Sequence, residues 1–130
     1  MTSPGLPMRA QTNVSTPTHQ RSQGRQGEIQ ALTYLQHNGL TLVERNFRCR
    51  LGEIDLIMLD HGTLVFVEVR KRKNMRHGGA AGSVTASKQA RLISAAQVYL
   101  SRYKEHPGCR FDVIAIDAEK IDWLKNAIEA

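Results

Sequence analysis

Residues 52–70 read GEIDLIMLDHGTLVFVEVR, two runs of β-branched and large apolar side chains separated by Asp60-His61-Gly62. A polar, glycine-containing tripeptide between two such runs predicts a β-hairpin. Both faces of the predicted strands are largely apolar. The first strand carries on one face Ile54, Leu56 and Met58, and on the other Ile57 and Leu59. This pattern predicts strands in the middle of a sheet that is covered on both sides.

The length of the turn sets which residues of the hairpin face each other. With a two-residue loop at His61-Gly62, counting outward from the turn brings Asp55 opposite Glu68. Directly opposed side chains lie on the same face with their Cβ atoms about 5 Å apart, where like charges repel. A three-residue loop would instead place Glu68 opposite Leu56 and mix apolar with charged positions. The hydrophobic pattern therefore favours the register that opposes two carboxylates.

An acidic pair within an apolar sheet face must be protonated, matched by a cation, or placed at an open edge of the core. Carboxylate oxygens at this spacing suit a hard divalent ion such as Mg²⁺. The structural alternative is that Arg70, which this register places opposite Glu53, neutralises the acids. The sequence therefore predicts either a divalent metal site or an ion-pair network at this end of the hairpin.

The segments around the hairpin predict two helices and two further strands. Ile29, Leu32 and Leu35 recur at helical spacing between Gly27 and Asn38, and an extended run follows over Leu40–Phe47. A second helix is predicted over Ser87–Tyr103, then a buried strand over Phe111–Ile116 that is parallel to its neighbour because a helix precedes it. The tail from Ile121 predicts a short helix. The expected fold is α/β, with element order α-β-β-β-α-β and a mixed four-stranded sheet.

Glu28, on the predicted first helix, is a third acidic candidate for this site. It falls between Leu32 and Leu35 on the stripe that faces the sheet, which would let it reach the same metal site. The alternative is a first-turn glutamate that interacts favourably with the helix dipole. Spacing alone leaves both interpretations open.

Composition narrows the class of protein and its partners. Residues 1–22 are rich in Ser, Thr, Pro and Gln and lack a periodic apolar pattern, which predicts a disordered N-terminal tail before one domain over residues 23–130. Lys and Arg number 18 against 12 Asp and Glu, a formal net charge of +6 that favours nucleic acid or an acidic membrane surface over neutral partners. No apolar run suits a membrane helix or a signal peptide, so a cytoplasmic protein is expected.

The residues around the two acids resemble the bipartite acidic motif of PD-(D/E)XK nucleases. The motif is seen here in Gly52-Glu-Ile-Asp55-Leu-Ile and in Val65-Phe-Val-Glu68-Val-Arg70. From residue 24 to the C-terminus, the wider pattern is similar to the YraN family of small bacterial proteins with a restriction-endonuclease-like fold. That pattern comprises Gly24, Gly27-Glu28, Tyr34-Leu35, Arg45-Asn46-Phe47-Arg48, Gly78-Gly79-Ala80, Thr85, Lys88-Gln89 and Arg110-Phe-Asp-Val-Ile-Ala-Ile.

This resemblance implies a restriction-endonuclease-like fold and a site for Mg²⁺ or Mn²⁺. Asp55 and Glu68 would be the metal-binding acids, with Glu28 beside them. Arg70 would occupy the place of the motif lysine, which is a departure from the general motif. An arginine remains charged and cannot act as a general base, so it would stabilise the scissile phosphate while metal-activated water attacks.

Other residues near the predicted site have candidate roles. Lys71 is a poor substitute for the motif lysine because neighbours on a strand point to opposite faces. Lys88, in the first turn of the second helix, is either a displaced lysine or an ordinary solvated one. Gln89 faces the sheet, where its amide would orient water or a phosphate, or else cap buried backbone groups. A basic cluster that would neutralise phosphates follows the third strand. It comprises Arg70, Lys71, Arg72, Lys73 and Arg76.

The sequence thus predicts a metal-dependent nuclease that hydrolyses phosphodiester bonds of DNA, including branched, repair or recombination intermediates. The alternative is a catalytically inactive nucleic-acid-binding protein of DNA repair or recombination, which the arginine at position 70 favours. An RNA-directed enzyme would differ only in substrate. A homodimer is a further expectation, because cleavage of a duplex often needs two active sites.

Overall fold

The computed structural model describes residues 19–72 and 84–129, which form two helices and one five-stranded sheet. In chain order the elements are α1 (His19–His37), β1 (Thr41–Cys49), β2 (Gly52–Asp60), β3 (Thr63–Arg72), α2 (Ala86–Leu100), β4 (Cys109–Asp117) and β5 (Lys120–Leu124). The strands lie side by side in chain order, with β3 and β4 parallel and the other neighbours antiparallel. Neither helix of the described ranges has the length and apolar character needed to cross a bilayer.

The α/β class and the parallel pairing of β4 are confirmed, whereas the predicted C-terminal helix is wrong. Residues 120–124 instead form β5, the fifth strand of the sheet. Ile121 and Trp123 are partly buried and face Ile116 and Ile114 across the ladder, whereas the ends of the strand are exposed. Residues two apart on a strand share a face, and Ile121 and Trp123 pack against the same buried cluster; the sheet has five strands rather than four.

Helix α1 begins earlier than its apolar spacing predicted. It starts at His19, eight residues before Gly27, so residues 19–22 of the predicted tail are helical. The early turns contain Gln, Arg and Ser and carry no apolar stripe, which is why the periodicity did not reveal them. Residues 1–18 lie outside the described part of the chain.

The predicted hairpin register is confirmed near the turn. Asp60 pairs with Thr63, and the ladder continues to Leu56 and Val67. His61 and Gly62 both have positive φ, 50° and 90°, as a two-residue turn of the hairpin type requires. The paired residues of β2 and β3 end at Leu56 and Val67, so the predicted direct pairing of Asp55 with Glu68, the next position along, does not form.

The sheet is covered on both faces, as the apolar pattern predicted. On one face α2 packs over a buried cluster that includes Ile54, Ile57, Phe66 and Phe111. On the other, α1 contributes Ala31 and Leu35 to a second cluster, whose strand residues are Leu56, Met58, Val65, Val67, Ile114 and Ile116. Two separate cores therefore hold the helices on opposite sides of β2 and β3.

Strand β2 changes face within its length. Ile54 packs under α2, whereas Leu56 packs under α1, although residues two apart in a regular strand share a face. The prediction that Ile54, Leu56 and Met58 lie together is therefore wrong for Ile54. Strand β1 changes face at the same level, because Phe47 pairs with Ile54 and also packs under α2. The two residues between the faces are Asn46 and Asp55.

A buried polar network lies around Asp112 of β4 and extends to the hairpin turn and to β5. The carboxylate of Asp112 is fully buried on β4 and accepts hydrogen bonds from Arg110 Nε (3.1 Å), Trp123 Nε1 (2.9 Å) and the backbone N–H of Asn126 (2.8 Å). Arg110 also reaches Asp60 beside the hairpin turn, at 3.0 Å. Each charge in this network has a partner, so the network ties β2, β4 and β5 together.

Candidate functional site

A cavity of about 230 Å³ opens just beyond the last residue pair of β2 and β3. Its lining combines acids, bases and two apolar side chains. The acids are Glu28, Glu53, Asp55 and Glu68; the bases are Arg70, Lys88 and Arg91; the apolar residues are Val69 and Leu92. The separation of the two strands thus brings together charged residues from both helices and from two strands.

Asp55 lies at the centre of this arrangement. Its Oδ2 accepts a hydrogen bond of 2.8 Å from the backbone N–H of Val69, in the place where a regular ladder would have a carbonyl of β2. Burial and the negative charge of Glu68 raise the pKa of Asp55 well above its usual value, while the Val69 bond opposes that shift. The carboxylate is therefore held in place by the backbone, and the neighbouring charges that shift its pKa most are those of other acids, Glu68, Glu28 and Glu53.

Glu68 is the second acid of the pair, and Arg70 is its partner. Arg70 Nη1 donates to Glu68 Oε2 at 3.1 Å on the same side of β3. Burial raises the pKa of Glu68 even so, although Arg70 and the charge of Lys88 act to lower it. This ion pair agrees with the alternative in which Arg70 neutralises the acids, although its partner is Glu68; Glu53, which the register placed opposite Arg70, pairs with Arg48 of β1 at 3.3 Å. The acids remain neighbours in one cavity without being an opposed pair.

Glu28 reaches the cavity from α1, as its position on the sheet-facing stripe predicted. Because α1 begins at His19, Glu28 lies more than two turns inside the helix, and the first-turn alternative is wrong. Burial raises the pKa of Glu28, whereas a hydrogen bond from the Asn46 side chain and the charge of Arg45 lower it. A third carboxylate therefore shares the site with Asp55 and Glu68.

The donor chemistry of this cavity fits a hard divalent cation. The pKa values of these carboxylates are raised by burial and by neighbouring acids, and such groups are stabilised by a positive ion between them. In the described ranges no three His, Cys, Asp or Glu side chains stand close enough to form a ready-made metal group. Mg²⁺ nonetheless commonly binds through one or two carboxylates, with water and substrate phosphate completing its shell. Asp55 and Glu68 are the residues that would hold such an ion, with Glu28 beside them.

The bases of the cavity come largely from the N-terminal half of α2. Lys88 and Arg91 are three residues apart, so they lie on one helical face. A close approach of β2 allows this: a Cβ atom at Gly52 would lie 2.3 Å from the carbonyl oxygen of Arg91. Arg91 and Glu53 were not among the site residues predicted from the sequence. The spacing of Arg91 from Lys88 was a signal that would have found the arginine.

Several predicted phosphate-binding residues are not in the cavity. Lys71 points to the other face and donates to Gln30 Oε1 at 2.9 Å. Gln89 Nε2 donates to the carbonyl of Val84 at 3.2 Å, which agrees with the backbone-capping alternative for this side chain. The side chain of Arg72 and the residues Lys73 and Arg76 lie outside the described part of the chain.

Comparison with known proteins identifies the family. The model of the uncharacterised protein family UPF0102 matches residues 27–116. The chain belongs to this family. The family resemblance that the motifs indicated, under the name YraN, is thereby confirmed.

Similar UPF0102 proteins occur in several bacteria. One from Herminiimonas arsenicoxydans is 61% identical over 124 residues, covering 95% of this chain and 100% of its own length. One from Janthinobacterium sp. (strain Marseille) is 57% identical, with 95% and 100% covered. One from Ralstonia pickettii (strain 12J) is 57% identical over 109 residues, with 80% and 87% covered. Their names state the family and no activity.

Proposed function

We propose that this UPF0102 protein is a nuclease that hydrolyses phosphodiester bonds of DNA with Mg²⁺ or Mn²⁺ at Asp55 and Glu68. The observation that carries the proposal is the shared cavity in which both acids have raised pKa values beside three bases. The order of α1, the β2–β3 hairpin, α2 and β4 also agrees with the restriction-endonuclease-like fold that the motifs imply. That finer fold assignment is part of the proposal.

Each charged group of the cavity then has a role in binding or orientation. Asp55, fixed by the Val69 N–H, and Glu68 would hold the cation, and Glu28 would assist. The cation would supply activation of water and neutralisation of phosphate charge. Lys88 and Arg91 would bind phosphate oxygens from α2, and Arg70 would stabilise charge that develops on the scissile phosphate. The guanidinium cannot accept a proton from water, so Arg70 orients and stabilises only.

The composition supports backbone contacts with nucleic acid. The chain has a net charge of +6, and aromatic residues make up only 5% of it. Phosphate binding needs positive charge, whereas base stacking needs aromatic surface. We therefore infer recognition of backbone and shape rather than of sequence. An RNA substrate, a homodimer and a cytoplasmic location stay predictions.

The direct test compares cleavage by the wild-type protein, Asp55→Asn and Glu68→Gln on single-stranded, duplex and branched DNA, with RNA in parallel. Cleavage in Mg²⁺ or Mn²⁺ should fall by about 100-fold or more in both variants, because each removes a metal-binding oxygen. Glu119→Gln, at an exposed turn between β4 and β5, is the matched control and should cleave normally. Equal cleavage by all four proteins would refute the site assignment.

A second function, nucleic-acid binding without cleavage, is favoured by one observation. The ion pair between Arg70 and Glu68 places a guanidinium on a carboxylate that a metal would need. A protein that only binds would retain DNA affinity that falls with salt, yet would show no cleavage in either metal. If the wild-type protein binds DNA in this salt-dependent way and cleaves none of the substrates in either metal, binding alone is the better description.

A further inference from the structure

Asn46 has an unusual backbone conformation in the middle of an edge strand. Four non-glycine residues of the described ranges have positive φ, and Asn46, at 53°, is the one that lies within a strand. The left-handed region is unfavourable for residues with a Cβ atom by about 1 to 2 kcal/mol, and Asn tolerates it better than most. A strained conformation inside a strand needs a compensating role in the fold or the site.

The conformation of Asn46 coincides with the change of face in β1 and β2. Arg45 pairs with Leu56 on the α1 side of the change, and Phe47 pairs with Ile54 on the α2 side. Opposed residues of an antiparallel pair share a face, so both strands turn over together at this level. The residue of β2 at which the face changes is Asp55. Its carboxylate accepts a hydrogen bond from the backbone N–H of Val69, which in a regular ladder would bond to a carbonyl of β2.

The side chain of Asn46 acts on a second acid of the cavity. As a hydrogen-bond donor it lowers the pKa of Glu28, which comes from α1, against the effect of burial. The amide NH₂ is the group that donates to a carboxylate. Asn46 thus relates to two acids of the cavity. Its backbone conformation coincides with the change of face at Asp55, and its side chain acts on Glu28.

We propose that Asn46 is the positioning residue of the carboxylate site: its left-handed backbone turns Asp55 toward Val69, and its amide holds Glu28 at the cavity. The inference rests on the proposed function, because the positions of these acids matter only if they bind a cation. Asn46 itself need not touch the metal or the substrate. Its two contributions are separable, since glycine retains the backbone conformation and lacks the amide.

The experiment uses the full chain and two variants, Asn46→Gly and Asn46→Ala. Mn²⁺ affinity is measured by calorimetric titration, and the hydrogen exchange of the Val69 amide is measured by NMR without metal. Asn46→Gly should keep the Val69 amide protected and lose Mn²⁺ affinity by about 10-fold, as expected when a partner that orients a ligand is removed. Asn46→Ala should also expose the Val69 amide, with about 10-fold faster exchange, and lose Mn²⁺ affinity by about 100-fold.

His61→Ala is the matched control, because His61 also has positive φ, 50°, but lies in the hairpin turn. The His61→Ala variant should be less stable than the wild type. Its Mn²⁺ affinity should be unchanged, and so should the exchange rate of the Val69 amide relative to neighbouring amides. If Asn46→Ala does not fold, the Asn46→Gly variant tests the role of the amide. An Asn46→Gly protein that binds Mn²⁺ as tightly as the wild type would overturn that role. Protection of Val69 in folded Asn46→Ala would overturn the backbone role.

The same data separate this inference from the proposed function. If the wild-type protein binds no Mn²⁺, the proposed function fails. The hydrogen-exchange rates of the Val69 amide in Asn46→Ala and Asn46→Gly then still show whether the backbone of Asn46 positions Asp55. If wild-type protein binds Mn²⁺ and both Asn46 variants bind it equally well, the inference fails and the metal site remains.

Discussion

Asp112 is fully buried and Asp55 is partly buried, and the two carboxylates differ in the charges and hydrogen-bond donors around them. Asp112 accepts hydrogen bonds from Arg110, Trp123 Nε1 and the N–H of Asn126. Asp55 accepts one, from Val69, and lies among other carboxylates. Removing one partner of a buried ion pair destabilises the fold, because the other charge is left without compensation, whereas charges that repel one another at a site favour a bound ligand at the expense of the unliganded fold.

We expect Asp55→Asn to raise the free energy of unfolding at pH 7 by about 1 kcal/mol, because it removes a repelling charge and keeps an acceptor for Val69. Asp112→Asn should lower that free energy by about 2 to 3 kcal/mol, because it breaks a buried ion pair with Arg110. Urea unfolding without divalent metal measures both. A destabilised Asp55→Asn protein would argue that Asp55 has a structural role only.

The raised pKa values of Asp55 and Glu68 predict how stability varies with pH. Both exceed their ordinary values of 3.8 and 4.5, so the folded state binds more protons than the unfolded state above about pH 4. Stability contributed by these groups therefore falls as pH rises through that range toward the raised folded values. The free energy of unfolding of wild-type protein should drop relative to Asp55→Asn between pH 4 and 7. A difference that does not change with pH would contradict the charge repulsion, and added Mg²⁺ should reduce the drop.

At the scale of elements, the contact between β2 and α2 sets where Lys88 and Arg91 lie. Gly52→Ala would place a Cβ atom 2.3 Å from the carbonyl oxygen of Arg91, a backbone atom that cannot rotate away. We expect the free energy of unfolding to fall by about 1 to 3 kcal/mol, with α2 displaced from the sheet. Thermal and urea unfolding measure the change.

Gly108→Ala is the control for this prediction, because a Cβ atom there meets nothing within 4 Å and the residue has no positive φ. It should change the free energy of unfolding by less than about 0.5 kcal/mol. Equal destabilisation of both variants would mean that the approach of the helix to the sheet at Gly52 is not the cause.

At the scale of the whole molecule, we expect the position of positive charge to affect DNA binding more than its total does. The double variant Lys88→Ala and Arg91→Ala should weaken DNA binding and lower the dependence of log affinity on log salt concentration by about 2, because two phosphates would no longer be neutralised. Binding titrations at several salt concentrations measure the slope. The control removes two exposed lysines away from the cavity, Lys104→Ala and Lys120→Ala, with the same change of net charge. Equal slopes in the two double variants would show that binding depends on net charge alone.

Local sequence was sufficient to predict the hairpin and the acids beside it. The two-residue turn at His61-Gly62 sets the register of its neighbours, and an alternating apolar pattern tolerates no slip. The same reasoning failed for β5, where a short segment with Trp123 suits either a helix or a strand. Its choice depends on pairing with β4 and on the bond from Trp123 to Asp112.

The candidate site shows the same division between local and long-range information. Strand pairing predicted that Asp55 and Glu68 lie close together, and helix periodicity made Glu28 one candidate for the same site; both signals are properties of short segments. Tertiary structure alone decided how they meet: β1 and β2 change face at Asn46, and Arg91 arrives where Gly52 lets α2 approach. A left-handed residue inside a strand breaks the period of two on which sequence reasoning depends, and contacts between segments distant in sequence leave no periodic signal.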